Sequence, residues 1–182
     1  MGAGARTALE IPDPSVVILV GAAGAGKSTF AARHFPLGAV LSSDAMREAI
    51  SGNAADQSAT RPAFDALHRA LDQRLAAGRL TVVDATNVTP AARRTVRTIA
   101  ARHRTPVIVI VLDYPSAVVH ARNAARQGRQ VPDAAVSRHL NQLRRAVDDG
   151  DLDREGHLRV VVLRDPAEAA ALTVRVVAPP DS

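Results

Sequence analysis

The sequence predicts an α/β fold in which a parallel β-sheet is sandwiched by helices. Three observations carry that expectation. Of the 182 residues 47% are hydrophobic but only 2% aromatic, so Val, Ala, Leu and Ile must fill the interior, a palette suited to buried parallel strands under Ala-rich helices. Short β-branched runs alternate with longer helical patterns along the chain. A Gly-rich octapeptide, Gly21-Ala22-Ala23-Gly24-Ala25-Gly26-Lys27-Ser28, lies between one such run and one such helix.

The expected strands are Val16 to Val20, Ala39 to Ser42, Leu80 to Asp84, Val107 to Leu112 and Leu158 to Leu163. Each is too short for a helix and rich in β-branched residues. Helices are expected over Lys27 to His34, Asp44 to Ile50, Pro62 to Ala77, Pro90 to His103, Pro115 to Gln127 and Pro132 to Asp148, several with proline in the first turn, where its missing N–H is harmless. Ser51 to Arg61 reads as a polar surface loop, and Asp165 to Val177 reads both ways, helical at first and then strand-like. One domain spans 15–177, between a loose leader, 1–14, and a linker stub, 178–182. A chain of this length buries roughly 70% of its unfolded surface, enough for a sizeable core.

The formal charge is +5, and every cation except Lys27 is arginine. Base composition accounts for most of that bias. The exception is informative, because a compact ammonium on a flexible stem sits where a planar fork is not used. No apolar run approaches the roughly 18 residues of a membrane span and no signal-peptide pattern opens the chain. With no cysteine for disulfides or thiolate metal sites, a cytoplasmic protein is expected.

The octapeptide has the pattern and the strand-to-helix setting of a P-loop. Its glycines turn backbone N–H groups inward, and the helix that follows adds partial positive charge. Gly21, Gly24, Ala25, Gly26, Lys27, Ser28 and Thr29 are therefore nucleotide-binding candidates, with Lys27 reaching the β- and γ-phosphates of ATP or another NTP and the Ser28 hydroxyl ligating Mg²⁺. The fold class is accordingly the P-loop NTPase type. Neither an Asn-Lys-x-Asp guanine motif nor Leu-Ser-Gly-Gly-Gln occurs, and Asp84 is followed by Ala85 rather than by a water-activating Glu. These features favour a kinase of adenylate-kinase-like build. Asp84 either meets the metal through a water or caps the turn into Thr86-Asn87.

Asp44 follows the second expected strand, with Arg47 three residues on. Ligands of such sheets bind at the carboxyl ends of the strands. On a helix the two side chains share a face, where Asp44 could accept a hydroxyl proton and Arg47 hold an anion of the same acceptor. The plain alternative is an N-cap aspartate beside an incidental arginine. Arg122, Arg126 and Arg129 fall at i, i+4 and i+7, either as an arginine-bearing lid over the phosphates or as a solvated basic face.

Taken in order and spacing, Gly21 to Phe30, Ser42-Ser43-Asp44 with Arg47, Asp56-Gln57, Phe64-Asp65 with Leu67-His68, Leu80 to Val88, and Arg122-Asn123 through Arg129-Gln130-Val131 resemble the kinase module of bacterial polynucleotide kinase-phosphatases that repair RNA ends. The resemblance covers about 16–169. It implies Mg²⁺-dependent transfer of the γ-phosphate to the 5′-OH end of RNA or DNA, with Asp44 activating the hydroxyl and Arg47 clasping the terminal 3′-phosphate. It further implies Arg122 and Arg129 as catalytic lid residues, Arg126 and Gln130 near the lid or nucleobase, and Gln57 and Asn87 on the acceptor side. The relatives fuse this module to phosphoesterase and adenylyltransferase domains whose metal clusters and acceptor lysine have no counterpart here. An isolated monomeric domain and a piece of a larger phosphatase/ligase polypeptide both remain open. The residues alone also admit a small-molecule kinase acting on a sugar, nucleoside or antibiotic hydroxyl, or a nucleotide-binding regulatory module.

Overall fold

The structure, a computed structural model, describes residues 8–53, 56, 58–126 and 130–178. In chain order its elements are β1 (Ala8–Pro12), β2 (Val16–Val20), α1 (Lys27–His34), β3 (Val40–Ser42), α2 (Ser43–Ser51), α3 (Thr60–Ala76), β4 (Thr81–Asp84), α4 (Pro90–Arg102), β5 (Val107–Leu112), α5 (Ser116–Ala124), α6 (Asp133–Asp148), α7 (Asp151–Arg154), β6 (Arg159–Leu163), α8 (Pro166–Ala171) and β7 (Thr173–Val177). The five expected strands form one parallel sheet in the order β3-β4-β2-β5-β6.

Helices cover both faces, which is why every residue of β2 and β5 is buried and neither strand alternates in polarity. Val17, Leu19, Ile108 and Ile110 pack on one side with Phe30 and Val119 of α1 and α5. Val16, Ile18, Val109 and Val111 pack on the other with Leu67, Leu71 and Val96 of α3 and α4. No helix among the described residues is long and apolar enough to cross a membrane.

The leader is not loose over Ala8–Pro12. That segment pairs in parallel with β7 as a separate two-stranded sheet, sinking Leu9 and Ile11 into the core beside Leu163 and Leu172. Two apolar residues between Pro and Gly are a faint signal, and the partner strand lies at the opposite end of the chain. Asp165 to Val177 divides as its two halves suggested: Asp165 accepts from the N–H groups of Ala167 (2.7 Å) and Glu168 (2.9 Å) to start α8, and β7 follows. The short α7 was not expected. Helix α5 stops at Ala124, three residues before the expected end at Gln127. There the Asn123 side chain donates to the Val131 carbonyl (2.7 Å) and accepts from its N–H (3.1 Å), folding the chain back. The other expected boundaries agree to within two residues.

The register brings the site together. Asp84 lies opposite Leu19 of β2 and Ser42 of β3, so the P-loop, Asp84 and Asp44 leave adjacent strands at the same carboxyl edge. Behind this edge Arg93 is fully buried, donating to the carbonyls of Asn87 (3.0 Å) and Val88 (2.9 Å) and pairing with Glu155. The guanidinium holds the segment after Asp84 in place, and its own burial is tolerated because it is paired and hydrogen-bonded.

Candidate active site

The P-loop is closed by the Gly21 N–H donating to Thr86 O (3.0 Å) and the Phe30 N–H to Gly26 O (2.9 Å). Gly24 and Gly26 have φ of 86° and 93°, a region costly for other residues. Gly24 has a second constraint: a Cβ there would lie 2.7 Å from the Val119 carbonyl oxygen and 3.0 Å from the Asn123 Cβ, because α5 packs directly on the loop. Gly24→Ala should therefore lose at least about 1–2 kcal/mol from left-handed backbone strain alone. A fall in melting temperature of roughly 2–8 °C would register it, and unchanged stability would contradict the close packing of α5.

Lys27 is buried, and its Nζ donates to the carbonyls of Gly21 and Ala22, both at 2.9 Å. Burial pulls its pKa down to about 8, although the carboxylates of Asp84 and Asp44 oppose the shift, and the Arg126 guanidinium adds to it. Ser28 donates to the buried Asp84 carboxylate at 2.7 Å, so Asp84 faces the phosphate loop rather than capping the turn after it. Arg122 reaches Ala25 O at 3.4 Å while its guanidinium lies over the Tyr114 ring, 5.5 Å from the centroid.

Lys27, Ser28, Tyr114 and Arg122 line a cleft of about 630 Å³, which is also walled by Arg33 and His34 of α1 and by Pro166 and Ala169 of α8. Arg126 also lines this cleft and joins it to the acceptor candidates. Its Nη2 donates to Asp44 Oδ2 at 3.1 Å, and Asp44 Oδ1 accepts from the buried Arg47. The N-cap of α2 is Ser42, whose hydroxyl accepts from the Ala45 N–H (3.4 Å). Asp44 is thus released from capping and directed at two guanidiniums. Lys27, Asp84, Asp44 and Arg126 are close enough for each charge to act on the lysine.

Residues 16–149 match the AAA_33 family, described as an AAA domain. The chain belongs to this family. No curated protein matches it. By fold this AAA domain is similar to a chain of the Pnkp1/Rnl/Hen1 RNA repair complex (TM-score 0.64, 21% identity) over 81% of its own length and 49% of that chain. It therefore spans about half of that relative. It is also similar to a sugar kinase from Janibacter sp. HTCC2649 (TM-score 0.55, 21% identity, covering 86% of this chain and 90% of that one). A third likeness is to the Mycobacterium tuberculosis APS kinase CysC in complex with AMPPNP and APS (TM-score 0.53, 14% identity, 88% and 95% covered). What these likenesses share is a P-loop kinase-like α/β fold.

Within the AAA domain, two expected site residues turn away from the cleft. Asn87 is buried, at φ 49°, and its amide donates to Leu19 O (2.9 Å) and Ala85 O (3.3 Å). It ties the segment after β4 to β2. Gln130 donates to Ala124 O at 2.9 Å, satisfying an open carbonyl at the end of α5. Arg129 and Gln57 lie outside the described residues. Arg126, just beyond the end of α5, lines the same cleft as Arg122 and reaches Asp44. Sequence reasoning missed Tyr114 and the wall from α1 and α8. Tyr114 had a signal, the single tyrosine at the carboxyl end of an expected strand; the α8 wall had none.

Proposed function

We propose that this AAA domain is a polynucleotide 5′-hydroxyl kinase that transfers the γ-phosphate of ATP or another NTP to the 5′-OH end of RNA or DNA. The observation that carries the reading is Asp44, anchored by the buried Arg47 at the strand edge shared with the P-loop, within electrostatic reach of Lys27. In-line transfer needs a carboxylate to take the hydroxyl proton and cations around the phosphoryl group. Asp44 supplies the first. Lys27 and Arg122 supply the second on the donor side, while Arg47 adds a cation for the phosphate of a terminal nucleotide.

The oxygen pair formed by Ser28 and Asp84 fits Mg²⁺, a hard cation bound through few protein ligands and the substrate phosphates. Ser28 would hold it directly, with the Asp84 carboxylate behind the hydroxyl. Bound there, Mg²⁺ would neutralise charge on the β- and γ-phosphates. The likeness to a chain of an RNA repair complex supports the polynucleotide reading.

A second reading, a small-molecule kinase, is favoured by the likenesses to a sugar kinase and a gluconokinase from Sinorhizobium meliloti, which match over 90% and 93% of those chains. It keeps Asp44 as base and gives Arg47 a different anion. Labelled ATP with 5′-OH and 5′-phosphate oligonucleotides, and with sugars and nucleosides in parallel, separates the two. Label is expected on 5′-OH ends alone and should be salt-sensitive. Labelling of a small alcohol, with no oligonucleotide labelled, would replace the first reading by the second.

A further inference from the structure

We propose that Arg126 is a positioning residue that couples the two halves of the site, sharing one guanidinium between Asp44 and the phosphates of the donor nucleotide. The residue belongs to both halves at once, since it lines the phosphate cleft and donates to Asp44 Oδ2. Two described cations on Asp44 are held differently. Arg47 projects from within α2 with its side chain 5% exposed, whereas Arg126 stands beyond the last turn of α5 with its side chain 38% exposed. Asn123, three residues before it, is held by the bonds of its side chain to Val131. A rotamer change can therefore re-aim the guanidinium without moving the backbone.

The electrostatics favour such an exchange. Arg126 and the ammonium of Lys27 repel one another, and a triphosphate entering the cleft offers both a partner of higher charge than one carboxylate. As Arg126 turns toward the donor, Asp44 keeps Arg47 and regains lone pairs on Oδ2 for an acceptor hydroxyl. Donor binding then prepares the acceptor half, and linkage requires the acceptor to strengthen donor binding by the same factor. Arg126 acts through Asp44 and the phosphates; the proton still goes to Asp44.

A thermodynamic cycle on the whole chain tests this without any acceptor. The dissociation constant of the β,γ-imido analogue of ATP with Mg²⁺ is measured calorimetrically for wild type, Asp44→Asn, Arg126→Ala and the double variant. Asp44→Asn should tighten analogue binding by roughly 5-fold when Arg126 is present, and by clearly less in the Arg126→Ala background. Equal factors in the two backgrounds would overturn the proposal, since a general effect of removing one negative charge is the same in both. Melting curves verify folding, and Arg126→Lys, which keeps the charge but loses the fork, should retain only part of the coupling.

A second arm rests on the polynucleotide-kinase reading. The analogue should tighten binding of a 5′-OH oligonucleotide to wild type and not to Arg126→Ala; synergy that survives in the variant counts against Arg126. If no oligonucleotide binds at all, that reading fails, while the cycle with the analogue still decides the role of Arg126.

Discussion

Asp44→Asn should lower kcat for phosphate transfer by about 10²–10⁴ while leaving the chain folded and analogue binding no weaker than in the wild type. Asparagine keeps the shape and can still meet one guanidinium, but it has no basic oxygen to take the hydroxyl proton. Asp44 sits in the first turn of α2, where Ser42 already makes the cap. The cap therefore survives, but the buried Arg47 loses a charged partner, so some loss of stability is expected and melting curves must accompany the kinetics. Single-turnover transfer from labelled ATP, alongside binding of the imido analogue, tests both halves of the claim. Near-normal transfer by Asp44→Asn would remove Asp44 as base. Arg47→Ala, in contrast, should raise the KM for the acceptor and not that for ATP.

Lys27→Ala should reduce kcat by about 10²–10³, the scale for losing one preorganised cation or donor at a developing charge. Lys27→Arg is not expected to rescue it, because the ammonium fits between the carbonyls of Gly21 and Ala22 where a planar fork has no room to reproduce both bonds. The depressed pKa adds a pH signature. In the folded chain the ammonium loses its proton near 8 rather than 10.5, and triphosphate binds the charged form. Above about pH 8 nucleotide binding must take up a proton, so affinity should fall with pH, approaching tenfold per unit. Calorimetry in buffers of different ionisation enthalpy reads that proton directly. For folding the sign is reversed: between about 8 and 10.5 the unfolded chain holds a proton that the folded chain has lost, so stability rises with pH across the window. A pH-independent nucleotide affinity from 8 to 10 would show that Lys27 does not carry the binding charge.

The same residues mark how far the sequence reaches. Composition, the alternation of apolar runs with helical patterns, and the octapeptide around Lys27 determined the α/β class, the five parallel strands and the donor loop. Each is a local or short-period signal, and strand length, β-branching and glycine spacing are legible within a few residues. Asp44 and Arg47 were legible as a pair for the same reason, since three positions on one helix share a face. What the tertiary structure alone decided depends on contacts between distant segments. It paired Ala8–Pro12 with Thr173–Val177 and turned the Asn87 amide inward to Leu19. It also ended α5 at Ala124 through the clasp of Asn123 on Val131. It also brought Arg126, just beyond that end, to Asp44, 82 positions away. Helical periodicity predicts which side chains share a face only while the helix continues; beyond its end, direction is set by the closing of the loop and by the charges that meet there.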